Sequence, residues 1–363
     1  MKAQQVYQLN HSEVANAIGT LGSEVTFLVQ GHIGSGKTHV LKTLAKRFPD
    51  HVACYFDCTT KDLGDISVPK LKELDTMDYV RFAPNEEFGL HLNKPLLLMI
   101  DEFGKANPAV KNGLLRTMQE RMVGNTPLPA GSIVFATTNL GAEGVGDMLP
   151  PHARNRITIV TMRKPTANEW IEWGLDNDID PVILGWVRDN PQCMASFESH
   201  EQPDDNPYIY HPRATRSSFV TPRSLEKASF IVKKRTLIGE ISTTAALMGT
   251  IGDRAAMDMN AFVTLADQLP SLESIKKTPD IAIVPSSAPG VCMVVFRVLQ
   301  TIESSWADAW LTYMDRLPNE AKAVFVNNVR SKSYSNVRRA AVFNSAGFTQ
   351  YIYANGHLFG ADQ

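Results

Sequence analysis

The chain has 363 residues, enough for two or three domains, and 44% hydrophobic residues supply real cores. Lys+Arg 36 against Asp+Glu 38 leaves a formal net charge of −2, so no broad positive field draws it to nucleic acid or to an anionic membrane surface. No apolar run reaches membrane-spanning length, and Met1-Lys2-Ala3-Gln4-Gln5 leads into polar sequence without a signal-peptide apolar core, which predicts a cytoplasmic protein.

The first predicted element is a short helix near Ser12–Leu21, followed by an apolar, β-branched strand, Val25–Gln30. Directly after the strand comes Gly31-His32-Ile33-Gly34-Ser35-Gly36-Lys37-Thr38, which fits G-x-x-x-x-G-K-[ST]. Val40, Leu41, Leu44 and Phe48 then recur at helical spacing. The motif therefore lies between a strand and a helix N-terminus, where its chemistry requires it. Glycines let the backbone wrap a phosphate chain and present successive N–H groups to it. The helix that follows aims its positive dipole end at the same charge. In such a loop Lys37 reaches the β- and γ-phosphates, and Thr38 holds Mg²⁺ through its hydroxyl.

Further strands follow at Val52–Asp57, Leu96–Asp101, Ser132–Thr137 and Ile157–Thr161, with helical patterns between some of them, including Pro108 to about Arg121. Strands alternating with helices predict an α/β fold with a parallel sheet covered on both faces. Cys54 and Cys58 read as small core residues rather than metal ligands, since no second pair accompanies them. Leu96-Leu97-Leu98-Met99-Ile100-Asp101-Glu102 is an apolar strand ending in two carboxylates. Beside a phosphate loop, Asp101 can hold Mg²⁺ through water and Glu102 can polarise the attacking water as general base. Asn139, after the strand Ser132–Thr137, can hydrogen-bond that water or the γ-phosphate. Arg154 and Arg156 precede the last strand, where an arginine can reach a neighbouring subunit's γ-phosphate, and spacing does not choose between them.

From about Pro165 to Leu269 the pattern is mostly helical, broken by a polar stretch, Asn190 to Pro222, too long for an ordinary connector. Thr221-Pro222-Arg223 opens a helix, with Thr221 as N-cap, Pro222 in the first turn and Arg223 projecting from the start. Thr278 to Gly290 reads as a linker into a helical tail, in which Trp306, Trp310, Leu311, Tyr313, Met314 and Leu317 recur at core spacing. The predicted organisation is thus a nucleotide-binding domain over 1–164, a helical lid over 165–277 and a linker with tail over 278–363.

This ordered set resembles the AAA+ ATPases, and within them the MoxR group. The resemblance is carried by a Walker A motif (Gly31–Thr38), a Walker B motif (Ile100-Asp101-Glu102-Phe103), sensor 1 (Asn139), an arginine-finger region (Arg154 to Arg156) and sensor 2 (Thr221-Pro222-Arg223). Pro84-Asn85-Glu86-Glu87-Phe88-Gly89 is similar to the stretch that leads from the MoxR helix-2 insert, here about Asp62–Arg81. Arg121 to Gly131 is similar to the pre-sensor hairpin. The resemblance implies a doubly wound sheet of order 5-1-4-3-2 with a helical lid. It further implies Mg²⁺-dependent ATP hydrolysis between subunits of a homo-oligomeric ring, most often a hexamer. Chaperone-like remodelling of a protein substrate follows from it, often with a partner carrying a von Willebrand factor A domain. A DNA-processing motor or loader is the alternative; for it, the basic segment Arg330 to Arg339 is the candidate contact.

Overall fold

The computed structural model describes residues 7–70, 80–140 and 154–354. It divides the chain into two compact units, Met1–Lys164 and Pro165–Gln363.

The first unit is built on a six-stranded sheet in which every pairing is parallel. Its strands are β1 (Gln8–Leu9), β2 (Phe27–Gly31), β3 (Val52–Asp57), β6 (Leu96–Asp101), β9 (Ile133–Asn139) and β10 (Thr158–Met162), in the order β1-β10-β2-β9-β6-β3. The five strands expected from sequence stand in the order 5-1-4-3-2, a doubly wound P-loop sheet. The two-residue β1, too short to show as a hydropathy pattern, adds a sixth strand outside β10.

Side-chain alternation explains the two-sided burial. In β6, Leu97 and Met99 join Phe27, Val29 and Phe135 beneath helices α1 (His11–Leu21) and α2 (His39–Arg47). Leu96, Leu98 and Ile100 join Val134 and Ala136 on the opposite face, beneath α3 (Pro108–Glu120). All six residues of β6 are buried, which is why it reads as one unbroken apolar run. Helix α1 starts on a capping box, with Asn10 Oδ1 accepting from Glu13 N at 2.9 Å and Asn10 N donating to Glu13 at 2.7 Å. Helix α3 starts on Asn107, whose side chain accepts from Val110 N, with Pro108 in the first turn.

Two antiparallel hairpins leave the sheet. One is β4 (Ser67–Pro69), within the expected insert, with β5 (Phe82–Pro84), just past its end; residues 71–79 between them lie outside the described residues. The other is β7 (Met122–Val123) with β8 (Thr126–Pro127), inside the stretch expected to form the pre-sensor hairpin. A Cβ on Gly124 would lie 3.2 Å from Ser67 Oγ, so the two hairpins abut.

The second unit is helical, with one continuous core. Trp170, Ile183, Trp186, Leu225, Leu247 and Met259 share it with Phe296, Trp310, Tyr313 and Phe325. Helix Ala288–Thr301 packs directly on helix Pro181–Asp189, so the segment after Thr278 contributes to the same core as the helices before it. Trp306, Trp310, Leu311, Tyr313, Met314 and Leu317 are all buried, as their spacing predicts. The long stretch from Asn190 is folded into three short turns, at Pro191–Met194, Phe197–Ser199 and Pro203–Asp205. Arg216 gathers it by donating to the carbonyls of Pro203, Asn206 and Ile209. Buried Asn206 adds bonds to Gln192 O at 2.7 Å and from Tyr208 N at 3.2 Å. Among the described residues no helix is long and apolar enough to cross a membrane.

Candidate active site

The register of the sheet assembles the site. Gly31, the last residue of β2, stands opposite Asn139 of β9 on one side and Met162 of β10 on the other. One strand over, Ile100 pairs with Ala136, which places Asp101 and Glu102 at the same C-terminal edge. Ligands of open α/β sheets bind outside this edge. The loop 32–38 turns through Gly34 at φ 71° and Gly36 at φ 94°, conformations that side chains disfavour, and α2 begins at His39. At Gly31 a Cβ would meet the Met162 carbonyl at 2.7 Å, so only glycine fits between the strands there.

Lys37 is buried, with a relative exposure of 7%. Its ammonium donates to the carbonyls of Gly31 at 2.8 Å and His32 at 2.9 Å, and to Asn139 Oδ1 at 2.7 Å. The other end of the Asn139 amide, Nδ2, donates to both carboxylate oxygens of Glu102 at 3.2 Å. A single amide therefore bridges the lysine and the glutamate expected to act at opposite ends of the reaction. Glu102 has φ 52°, a left-handed backbone that costs about 1 kcal/mol in a non-glycine residue and turns its side chain off the strand line. Lys105 Nζ lies 3.2 Å from Glu102 Oε2 as a partly exposed ion pair.

Asp101 is buried and held on three sides. Thr137, itself fully buried, donates to Oδ1; Tyr55 donates its phenolic hydroxyl to Oδ2 at 2.8 Å; and the Thr38 hydroxyl lies 3.5 Å from the same Oδ2. Thr137 Oγ1 also accepts from the Glu102 amide at 3.3 Å. A hydroxyl and a carboxylate side by side, with no thiolate or imidazole between them, form a donor set suited to a hard cation such as Mg²⁺. Tyr55 and Thr137 carry no motif signature in the sequence. Thr137 shows as a hydroxyl within an otherwise apolar strand, whereas nothing local distinguishes Tyr55.

Two features flank the site. Cys58, at the end of β3, has its thiol pushed up to about 12, first by burial and then by the charges of Asp57, Asp101 and Glu102. It is an inert core thiol. His39, directly after Thr38, packs against His11 with ring centroids 5.5 Å apart. Burial, then the charge of the His39 ring, lowers His11 to about 4; burial, then Lys42 and Lys46, lowers His39.

Arg154 and Arg156 precede β10 and are exposed, and Arg156 donates to Gln119 Oε1 at 2.9 Å. The residues just before them, 149–153, lie outside the described residues. Arg223 belongs to the second unit. There Thr221 caps helix Pro222–Lys233 by accepting from Ser224 N at 3.0 Å, Pro222 occupies the first turn, and Arg223 is exposed beside it. In the basic segment, Arg338 pairs with Asp176 at 3.7 Å. Arg339 donates to the carbonyls of Val329, Ser331 and Tyr334.

No protein-family model and no curated protein matches the chain. Among solved structures it is similar to a mutant RuvB of Thermotoga maritima, at 15% identity and a TM-score of 0.35, over 71% of this chain and 68% of that one. Strand order and register, rather than that likeness, define the fold. A phosphate-loop motif after the first of five parallel strands in order 5-1-4-3-2, with paired carboxylates after the third, is the arrangement of a P-loop α/β fold.

Proposed function

We propose that the chain is a Mg²⁺-dependent ATPase of AAA+ type, with the character of the MoxR group, that works as a homo-oligomeric ring, most simply a hexamer. The observation that carries this reading is the continuous bonded path Lys37–Asn139–Glu102 beside the Asp101–Thr38 pair. The phosphate chain of ATP lies along the N–H groups of 31–38 at the start of α2. Lys37 exchanges its loop carbonyls for the β- and γ-phosphates. Thr38 and Asp101 would hold Mg²⁺, which would supply neutralisation of the phosphate charge. Glu102, steered by Asn139, takes a proton from the water that attacks the γ-phosphate. Arg154 or Arg156 of one subunit serves the γ-phosphate of the next, and Arg223 takes the nucleotide-sensing role that the resemblance implies.

The work performed is remodelling of a protein substrate or partner complex, with a protein carrying a von Willebrand factor A domain as the first partner to test. A nucleic-acid substrate fits less well, because Arg338 and Arg339 of the basic segment spend their guanidinium groups on internal contacts. The decisive experiment pairs nucleotide binding with phosphate release. Lys37→Ala should lose ATP affinity, and Glu102→Gln should bind ATP yet lose turnover by roughly 100-fold or more. Hydrolysis by Glu102→Gln at the wild-type rate would remove Glu102 from the role of base.

A further inference from the structure

Strand alternation puts Tyr55 on the same sheet face as Asp101. Tyr55 pairs with Met99 and Asp57 with Asp101 across β3 and β6, so residues of this parity point to the α2 side. Because β3 is the outermost strand at this end of the sheet, Tyr55 stays 43% exposed while its hydroxyl reaches inward to Asp101 Oδ2 at 2.8 Å. That oxygen is also the one nearest the Thr38 hydroxyl, at 3.5 Å. Thr137 holds the opposite oxygen.

We propose that Tyr55 is a positioning residue for the metal: its hydroxyl fixes the rotation of the Asp101 carboxylate so that Oδ2 stands ready toward Thr38. This rests on the reading that Thr38 and Asp101 hold Mg²⁺ with the nucleotide. A carboxylate clamped at one oxygen by Thr137 alone can swing about its side-chain torsions, and each such freedom must be lost when the metal binds. The tyrosine removes that freedom in advance, since a hydroxyl bonded to an ionised acceptor makes a short, strong hydrogen bond. Groups that orient metal ligands in this way affect metal affinity by about 10- to 100-fold when removed. The lower end of that range applies here, because water can replace part of the lost bond at a residue open to solvent.

The test is Tyr55→Phe, which keeps the ring and deletes only the hydroxyl. Binding of a fluorescent ATP analogue is followed while Mg²⁺ is titrated, and separately in EDTA. The expected result is a Mg²⁺ midpoint raised roughly tenfold, with nucleotide affinity in EDTA and the thermal transition both unchanged. An unshifted or lowered midpoint overturns the proposal, and so does an equal loss of affinity in EDTA, which would make the tyrosine a general structural support. If the wild-type protein itself shows no Mg²⁺-dependent nucleotide binding, the proposed function fails first, and the two failures are thereby distinguished.

Discussion

Replacing His11 by phenylalanine should make the first unit less sensitive to mild acid. In the folded chain burial and the neighbouring His39 ring lower His11 from 6.5 to about 4, so the fold favours the neutral imidazole. The unfolded chain takes up a proton as pH falls through 6.5, whereas the folded chain resists until near 4. Stability from this residue is therefore complete above pH 6.5 and drains away between 6.5 and 4. The shift sets a ceiling of about 3 kcal/mol, of which about 2 kcal/mol is lost between pH 7.5 and 5. His39, lowered for the same leading reason, acts in the same direction. A loss of about 2 kcal/mol moves the midpoint of a unit this size by about 4 to 8 °C. All five tryptophans, Trp170, Trp173, Trp186, Trp306 and Trp310, lie in the second unit, so their emission reports that unit alone. A far-UV circular dichroism transition that tryptophan emission does not share belongs to the first. His11→Phe keeps a ring against His39, so its midpoint should fall clearly less than the wild-type midpoint between pH 7.5 and 5, the residual fall coming from His39. Parallel decline in both proteins would refute the linkage.

Asn139→Ala should cut turnover by roughly 10- to 100-fold while changing ATP affinity by less than about tenfold, because Lys37 keeps two carbonyl acceptors while Glu102 loses the amide that aims it. An equal loss in both quantities, measured by phosphate release and equilibrium binding, would contradict a role in aiming the base. Arg154→Ala and Arg156→Ala should each be mixed with Glu102→Gln, since a subunit lacking its base can still lend an arginine to a neighbour that has one. Recovery of hydrolysis is expected in one of the two mixtures and identifies the arginine that acts across subunits; no recovery in either mixture rules both out.

The readable part of this chain is the part whose physics is local. A phosphate loop needs glycines and a lysine within eight residues, and a strand buried on both faces needs a continuous apolar run, so Gly31–Thr38 and Leu96–Glu102 were visible without a structure. Parallel pairing of the five main strands followed from their alternation with helices, and their order from the family resemblance. What escaped depends on register. Tyr55 and Thr137 meet Asp101 only because β3, β6 and β9 align as they do, and no spacing along the chain encodes a bond across 46 or 36 residues. The stretch after Asn190 read only as a break too long for an ordinary connector, because much of its order comes from Arg216 reaching back to three carbonyls. The packing of helix Ala288–Thr301 against Pro181–Asp189 was hidden for the same reason, since a proline-rich break between them reads as a boundary.

The strand order also sets a timetable for synthesis. β2, which leads into the phosphate loop, has as its two neighbours β9 and β10, and Phe27 meets Phe135 only after 108 further residues are made. At ordinary translation speeds this is a wait of about 5 to 20 seconds. Throughout that time the apolar run Phe27-Leu28-Val29 has an unpaired backbone edge on both sides, whereas β3 and β6 can pair much sooner. The nascent chain is thus most exposed to wrong pairing at the strand that leads into the phosphate-loop motif. Ribosome-bound chains ending before residue 139 should be the ones that chaperones hold.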